Sequence, residues 1–120
     1  MTLRFMAATT AACLVLGGCG ASEEERAETA VREYNAAFAK GDGKKACARL
    51  SRGFKAQVPN CDRFVSELSR ADPSGEPSRR LAEADYEVTV RGDHATAENA
   101  ELGSFELVKE DGEWRISSAR

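Results

Sequence analysis

The apolar residues of this chain change their spacing once, between Leu68 and Tyr86, and that change restricts the fold more than any other feature. Before it, Ala27, Ala30, Val31, Tyr34, Ala37 and Phe38 recur every three or four residues, the period of an α-helix. After it, Tyr86, Val88 and Val90 alternate with Glu87, Thr89 and Arg91, the period of a half-buried strand. Helices first and one-sided strands after predict an α+β architecture, with the helices packed on the apolar face of an antiparallel sheet.

Local signals divide the helical half. Ser22-x-x-Glu25 is a capping box, with Glu23, Glu24 and Glu25 all in the first turn, and Gly41 stops the helix that follows. Asp42 is placed to cap a short second helix carrying Ala46, Cys47 and Leu50. Ser51 to Val58 reads as a further helical turn with Phe54 and Val58 inward. Pro59-Asn60 breaks it, and Asn60 is placed to cap a third helix with Cys61, Phe64, Val65 and Leu68 on one stripe. Pro, Ser, Gly and charge over Ala71 to Arg80 predict a loop.

The strand half reads as a curved four-stranded meander. Gly92-Asp93, Leu102-Gly103 and Asp111-Gly112 separate strands in which Ala95 and Ala97, then Phe105 and Leu107, then Trp114 and Ile116 face inward. The outward row is Glu87, Thr89, Arg91, Glu98, Glu106 and Arg115, with Val108 its apolar exception. Arg91-Gly92-Asp93 spells a tripeptide that cell-surface receptors read, but Gly-Asp is also what a hairpin turn needs.

The N-terminal segment limits how much of the chain folds. Arg4 and the amino terminus supply positive charge, and Phe5 to Leu16 is apolar but shorter than the ~20 residues needed to cross a bilayer. The run Leu14-Val15-Leu16-Gly17-Gly18-Cys19 resembles the lipobox of bacterial lipoproteins. That resemblance implies a signal peptide over 1–18, removed before Cys19, and diacylglyceryl transfer to the Cys19 sulfur. It also implies acylation of the new amine, typically with palmitate. Stable anchoring takes at least two acyl chains at about 0.8 kcal/mol per buried methylene, and one lipidated cysteine carries two or three. The alternatives are an apolar N-terminal helix or plain secretion with Cys19 free. The organisation then reads as signal peptide 1–18, a short tether over 19–24 and one domain over 25–120, on the extracytoplasmic side of the cell membrane.

Of the four cysteines, Cys13 falls in the removed segment and Cys19 carries lipid, which leaves Cys47 and Cys61 as an even pair in an oxidising compartment. A structural disulfide follows. Two cysteines and the single His94 are too few for a four-ligand metal site, and the spacing is not that of a Cys-x-x-Cys redox motif. No metal or cofactor is expected. The net charge of −3, more negative without Arg4, argues against a nucleic-acid partner and leaves lipid on Cys19 as the contact with the membrane.

A second resemblance rests on the order of elements: a long first helix with Tyr34, the Gly41-Asp42 break, a helical hairpin, and a sheet ending Asp111-Gly112-x-Trp114-Arg115-Ile116. Over Ala27 to Ile116 the chain looks like the NTF2-like superfamily, particularly the small lipoproteins of high-GC Gram-positive and related bacteria. The strand between helices and main sheet is weak or missing. The superfamily includes isomerases, cyclases and dehydratases that use a Tyr with Asp or His in a cone-shaped cavity. Tyr34, Tyr86 and His94 are the matching residues. Asp42, Asp62 and Asp72 sit at caps or in a loop, where a structural role suffices.

The residues themselves favour binding over catalysis. Large Tyr86, Phe105 and Trp114 stand beside small Ala95 and Ala97, a mixture that leaves a concavity unless something fills it. The candidate pocket is Tyr34, Tyr86, Trp114 and, as its polar group, Asn99. Plain core packing, with Asn99 at a strand end in water, is favoured over it. The partner would be a small apolar ligand or another envelope protein.

Overall fold

A computed structural model describes residues 21–120. The lipobox, Cys13 and Cys19 lie outside them. Five helices precede a four-stranded antiparallel sheet. They are α1 (Glu23–Ala39), α2 (Gly43–Ala48), α3 (Arg52–Ala56), α4 (Cys61–Ala71) and α5 (Glu76–Glu83). The strands are β1 (Glu87–Arg91), β2 (His94–Asn99), β3 (Gly103–Glu110) and β4 (Glu113–Ala119). They pair in chain order and the sheet does not close.

Helix α1 begins on the capping box. Ser22 Oγ accepts from Glu25 N at 3.1 Å and Glu25 Oε1 accepts from Ser22 N at 2.9 Å, so two orphan donors are satisfied reciprocally. The helix starts at Glu23, so it takes the last two residues of the span read as tether. At its other end Gly41 turns left-handed (φ 72°). Gly41 N donates to Phe38 O and Asp42 N to Ala37 O, the two bonds of a Schellman ending. The buried face carries Ala27, Ala30, Val31, Asn35 and Ala37, mostly small, and α1 packs against β1, β2 and β4.

Asp42 Oδ1 accepts from Lys45 N at 3.2 Å and Ser51 Oγ accepts from Phe54 N at 3.1 Å, which caps α2 and α3. A Cys47–Cys61 disulfide joins α2 to α4 with Cα atoms 6.1 Å apart. The helices meet so closely there that a Cβ added at Gly43 would lie 2.5 Å from Asp62 O. Cys47, Ala37, Ala46 and Val65 form a small core of their own, and Tyr34 and Cys61 pack against both it and the main core.

Three expectations for this half change. Asn60 makes no side-chain cap bond, because its backbone is left-handed (φ 56°) and serves as the turn itself, a conformation Asn tolerates. The stripe on α4 is not wholly buried: Val65 is, but Phe64 is 46% exposed and Leu68 42%. α4 packs chiefly on α2 and only lightly on α1, which leaves Phe64 and Leu68 without a covering neighbour among the described residues. The loop expected over Ala71 to Arg80 contains the start of α5. Gly75 (φ 64°) and Pro77 stand where a helix begins, and the breakers are its start signal rather than a loop interior.

The sheet follows the alternation. Ala95, Ala97, Phe105, Leu107, Trp114 and Ile116 are buried on one face, and Glu87, Thr89, Arg91 and Glu98 are exposed on the other. Positive φ at Asp111 and Gly112 is the type I′ pattern, and positive φ at Gly92 alone is that of II′. Among the described residues no strand stands between the helices and the sheet, and one isolated parallel bridge joins Leu50, between α2 and α3, to Ile116. Ser51 N donates to Ile116 O at 2.9 Å and Ile116 N to Arg49 O at 2.8 Å, which covers the β4 edge.

Candidate functional site

The helix layer and the sheet part at one end and leave a groove of about 310 Å³. Tyr34, Asn35 and Phe38 line it from α1, Ser78 and Leu81 from α5, and Leu102, Phe105, Ala119 and Arg120 from the sheet. The Tyr34 and Phe38 rings meet edge to face, centroids 5.9 Å apart. Burial pushes the Tyr34 hydroxyl above the usual phenol range, so it stays a neutral hydrogen-bonding group. Asn35 is buried, its Nδ2 held by Val31 O at 2.9 Å. Arg120 Nη2 pairs with Glu106 Oε2 at 2.6 Å, which compensates the one cation in the lining. The groove is an apolar, aromatic-walled recess with neutral polar groups at its margin.

Tyr86 stands behind this wall. Its ring meets Phe105 edge to face at 5.9 Å, and its hydroxyl donates to Leu81 O at 2.5 Å. Desolvation, with Glu28 adding and Arg32 opposing, pushes that hydroxyl up to about 12. Tyr86 also borders an open hollow of about 780 Å³ with Asp85, Glu87, Glu98, Asn99 and Arg120. Asn99 is not free there: its Nδ2 donates to Asp85 O, and its Oδ1 accepts from Glu101 N and Leu102 N. The inward polar group of the expected pocket is a turn-building residue.

Trp114 is at the other end of the domain. Its Nε1 donates to Glu23 Oε1 at 2.8 Å, and Lys109 Nζ reaches the same oxygen at 2.9 Å while lying 5.4 Å from the ring centroid. These bonds, Lys109 first and then Trp114, hold the Glu23 carboxyl below the usual range. The four residues expected to share a pocket therefore separate. Tyr34 lines the groove, Tyr86 backs it, Asn99 builds a turn and Trp114 clasps the first helix. The cause is α1. Its small buried residues share one core with Ala95 and Ala97, so the concavity expected beside those alanines is filled by the helix.

Phe38, Leu81 and Leu102 are apolar groove residues that the expected pocket does not include. Leu81 lay in the span adjoining the expected loop, and the 3.6-residue period that places Phe38 on α1 does not say which end of the sheet it reaches. A second unforeseen feature is the polar clasp on Arg32. Its guanidinium donates to Ala84 O, Glu28 Oε2 and Asp85 Oδ1, and Glu28 Oε2 accepts from Tyr86 N at 3.1 Å. The clasp fixes where β1 leaves the helices.

His94 is exposed on the outer face. Among the described residues, no group of three or more His, Cys, Asp or Glu is arranged to hold a metal, and no helix is long and apolar enough to cross a membrane. No protein-family model, curated protein or solved structure matches this chain.

Proposed function

We propose that the protein is a lipid-anchored, extracytoplasmic module of NTF2-like build that binds a small, largely apolar and uncharged molecule without transforming it. The groove walled by Tyr34, Phe38, Leu81 and Phe105 is the observation that carries this reading. Its volume lies at the lower end of the ~300–1,000 Å³ typical of small-molecule sites. Tyr34 and Ser78 offer hydroxyls at its margin, and a charged ligand would find no uncompensated partner in the lining. The lipobox-like segment supports the location, with Cys19 as the lipid site.

The enzymatic alternative needs a base within hydrogen-bond reach of Tyr34 or Tyr86. Among the described residues the groove lining contains no Asp, Glu or His, and the Tyr86 hydroxyl is committed to Leu81 O. Binding is therefore the better-supported reading.

Native mass spectrometry of the full-length protein, extracted gently from its own membranes, tests both halves. The expected mass is residues 19–120 plus lipid, with a non-covalent small molecule that Phe105→Ala or Tyr34→Ala releases. A polypeptide without lipid overturns the anchor. A domain empty across extractions, or a ligand that both substitutions leave bound, overturns the groove.

A further inference from the structure

The two edges of the sheet are treated differently. The β4 edge is covered by the Arg49–Ser51 segment, whereas β1 is the terminal strand at the other edge and pairs only with β2 among the described residues. We infer that the β1 edge pairs with the β1 edge of a second copy of this chain, antiparallel and centred on Thr89.

The hairpin register sets which groups are available. Arg91 pairs with His94 across the two-residue turn Gly92-Asp93, followed by Val90 with Ala95 and Thr89 with Thr96. In a two-residue hairpin the flanking pair exchanges both hydrogen bonds, and bonded pairs then alternate. Arg91, Thr89 and Glu87 therefore turn their backbone groups to β2. Val88 and Val90 turn theirs outward, where an unpaired edge is a template for another strand.

The strand is self-complementary about its middle. With Thr89 opposite Thr89 of the copy, Val88 falls opposite Val90 and Glu87 opposite Arg91, and each pair occurs twice. The hydrogen-bonding valines face each other, which is the alignment the outward N–H and C=O groups require. Opposed residues point to one face, so the valine pairs join on the helix-covered side and the ion pairs on the outer side. Glu87 and Arg91 are both exposed, and neither forms an ion pair among the described residues. Val88 and Val90 are only half-buried and would gain cover. Lys, Pro, a bulge and an inward charge, which guard many edges, do not occur within β1.

Charge exchange tests the pairing in the full-length protein by sedimentation at concentrations up to about 1 mM. The wild type is expected to dimerise reversibly. Glu87→Arg or Arg91→Glu alone turns two attractive pairs repulsive and is expected to raise Kd about tenfold or more. The double exchange restores the dimer. A mixture of the two single variants forms a heterodimer tighter than either homodimer, while circular dichroism stays unchanged throughout. In membranes, Thr89→Cys is expected to yield a disulfide-linked dimer, because the opposed Cα atoms would be about 4.5 Å apart. Thr96→Cys, one strand inward, is expected not to. A monomer at every concentration overturns the inference. So does a dimer indifferent to charge exchange, equal cross-linking at Thr96→Cys, or capture of the edge by an unrelated protein in place of the second copy.

Discussion

Trp114 Nε1 donates to Glu23 Oε1, 91 residues away in sequence, tying β4 to the first turn of α1. With Lys109 on the same oxygen, this is the point at which the described domain is fastened nearest to Cys19. A carboxylate whose folded pKa is depressed contributes stability above its unfolded value, near 4.5, and that stability is lost as pH falls through the folded value. Glu23→Gln is expected to lower the melting temperature at neutral pH and to flatten its fall as pH drops below about 4.5. Melts across that range, followed by Trp114 emission, check this. An acid limb identical to wild type counts against the clasp.

The Tyr86 hydroxyl works in the opposite direction. Its folded pKa is raised, so its contribution is complete below the ordinary phenol value near 10 and is lost as pH rises toward about 12. Tyr86→Phe removes the bond to Leu81 O and is expected to cost about 1 kcal/mol at neutral pH. The variant should also show a weaker loss of stability above pH 10. Denaturant titrations at neutral pH and above pH 10 separate the two effects.

Cutting the disulfide relaxes the unfolded chain. The bridge closes a loop with a sequence separation of 14, which the chain-entropy model values at about 3 kcal/mol. Cys47→Ser is expected to lose stability of that order, and reduction of the wild type should reproduce the loss. A melting temperature unmoved by reductant refutes the contribution.

Two glycines in short helices should respond with opposite sign. Gly43→Ala forces a Cβ against Asp62 O, whose backbone the disulfide-linked helices hold close, and is expected to cost about 1–3 kcal/mol. Gly53 has open space around a Cβ, so Gly53→Ala is expected to stabilise by roughly 0.5–1 kcal/mol through helix propensity. Equilibrium unfolding of both variants checks the pair, and equal effects would mean that α2 and α4 do not approach as described.

Much of the fold was legible because its signals are local. The Ser22–Glu25 box, the Gly41 ending and the Asp111-Gly112 turn each need only a few neighbouring residues. The alternation of β2 to β4 placed the inner row correctly, since period two assigns a face without knowing the partner. Asn60 and the Gly75-Pro77 region misled for a related reason. The same residues serve as caps, turns or loop interiors, and the backbone angle that decides among these is not written in residue type.

The candidate site was less legible. Tyr86, Asn99 and Trp114 share the inward row of the sheet and Tyr34 lies on the helix expected to cover it, but a face is longer than a cavity. Sequence period by itself determined which residues turn inward, and local cap and turn signals determined where the chain bends. Only the tertiary structure decided that α1 lies across the middle of the sheet and fills it. That placement leaves Tyr34 beside an open groove at one end and Trp114 locked to Glu23 at the other. The physical reason is that periodicity assigns direction one residue at a time. Whether inward residues enclose space depends on how closely the opposing element approaches, and here that closeness comes from small alanines on both sides of the contact.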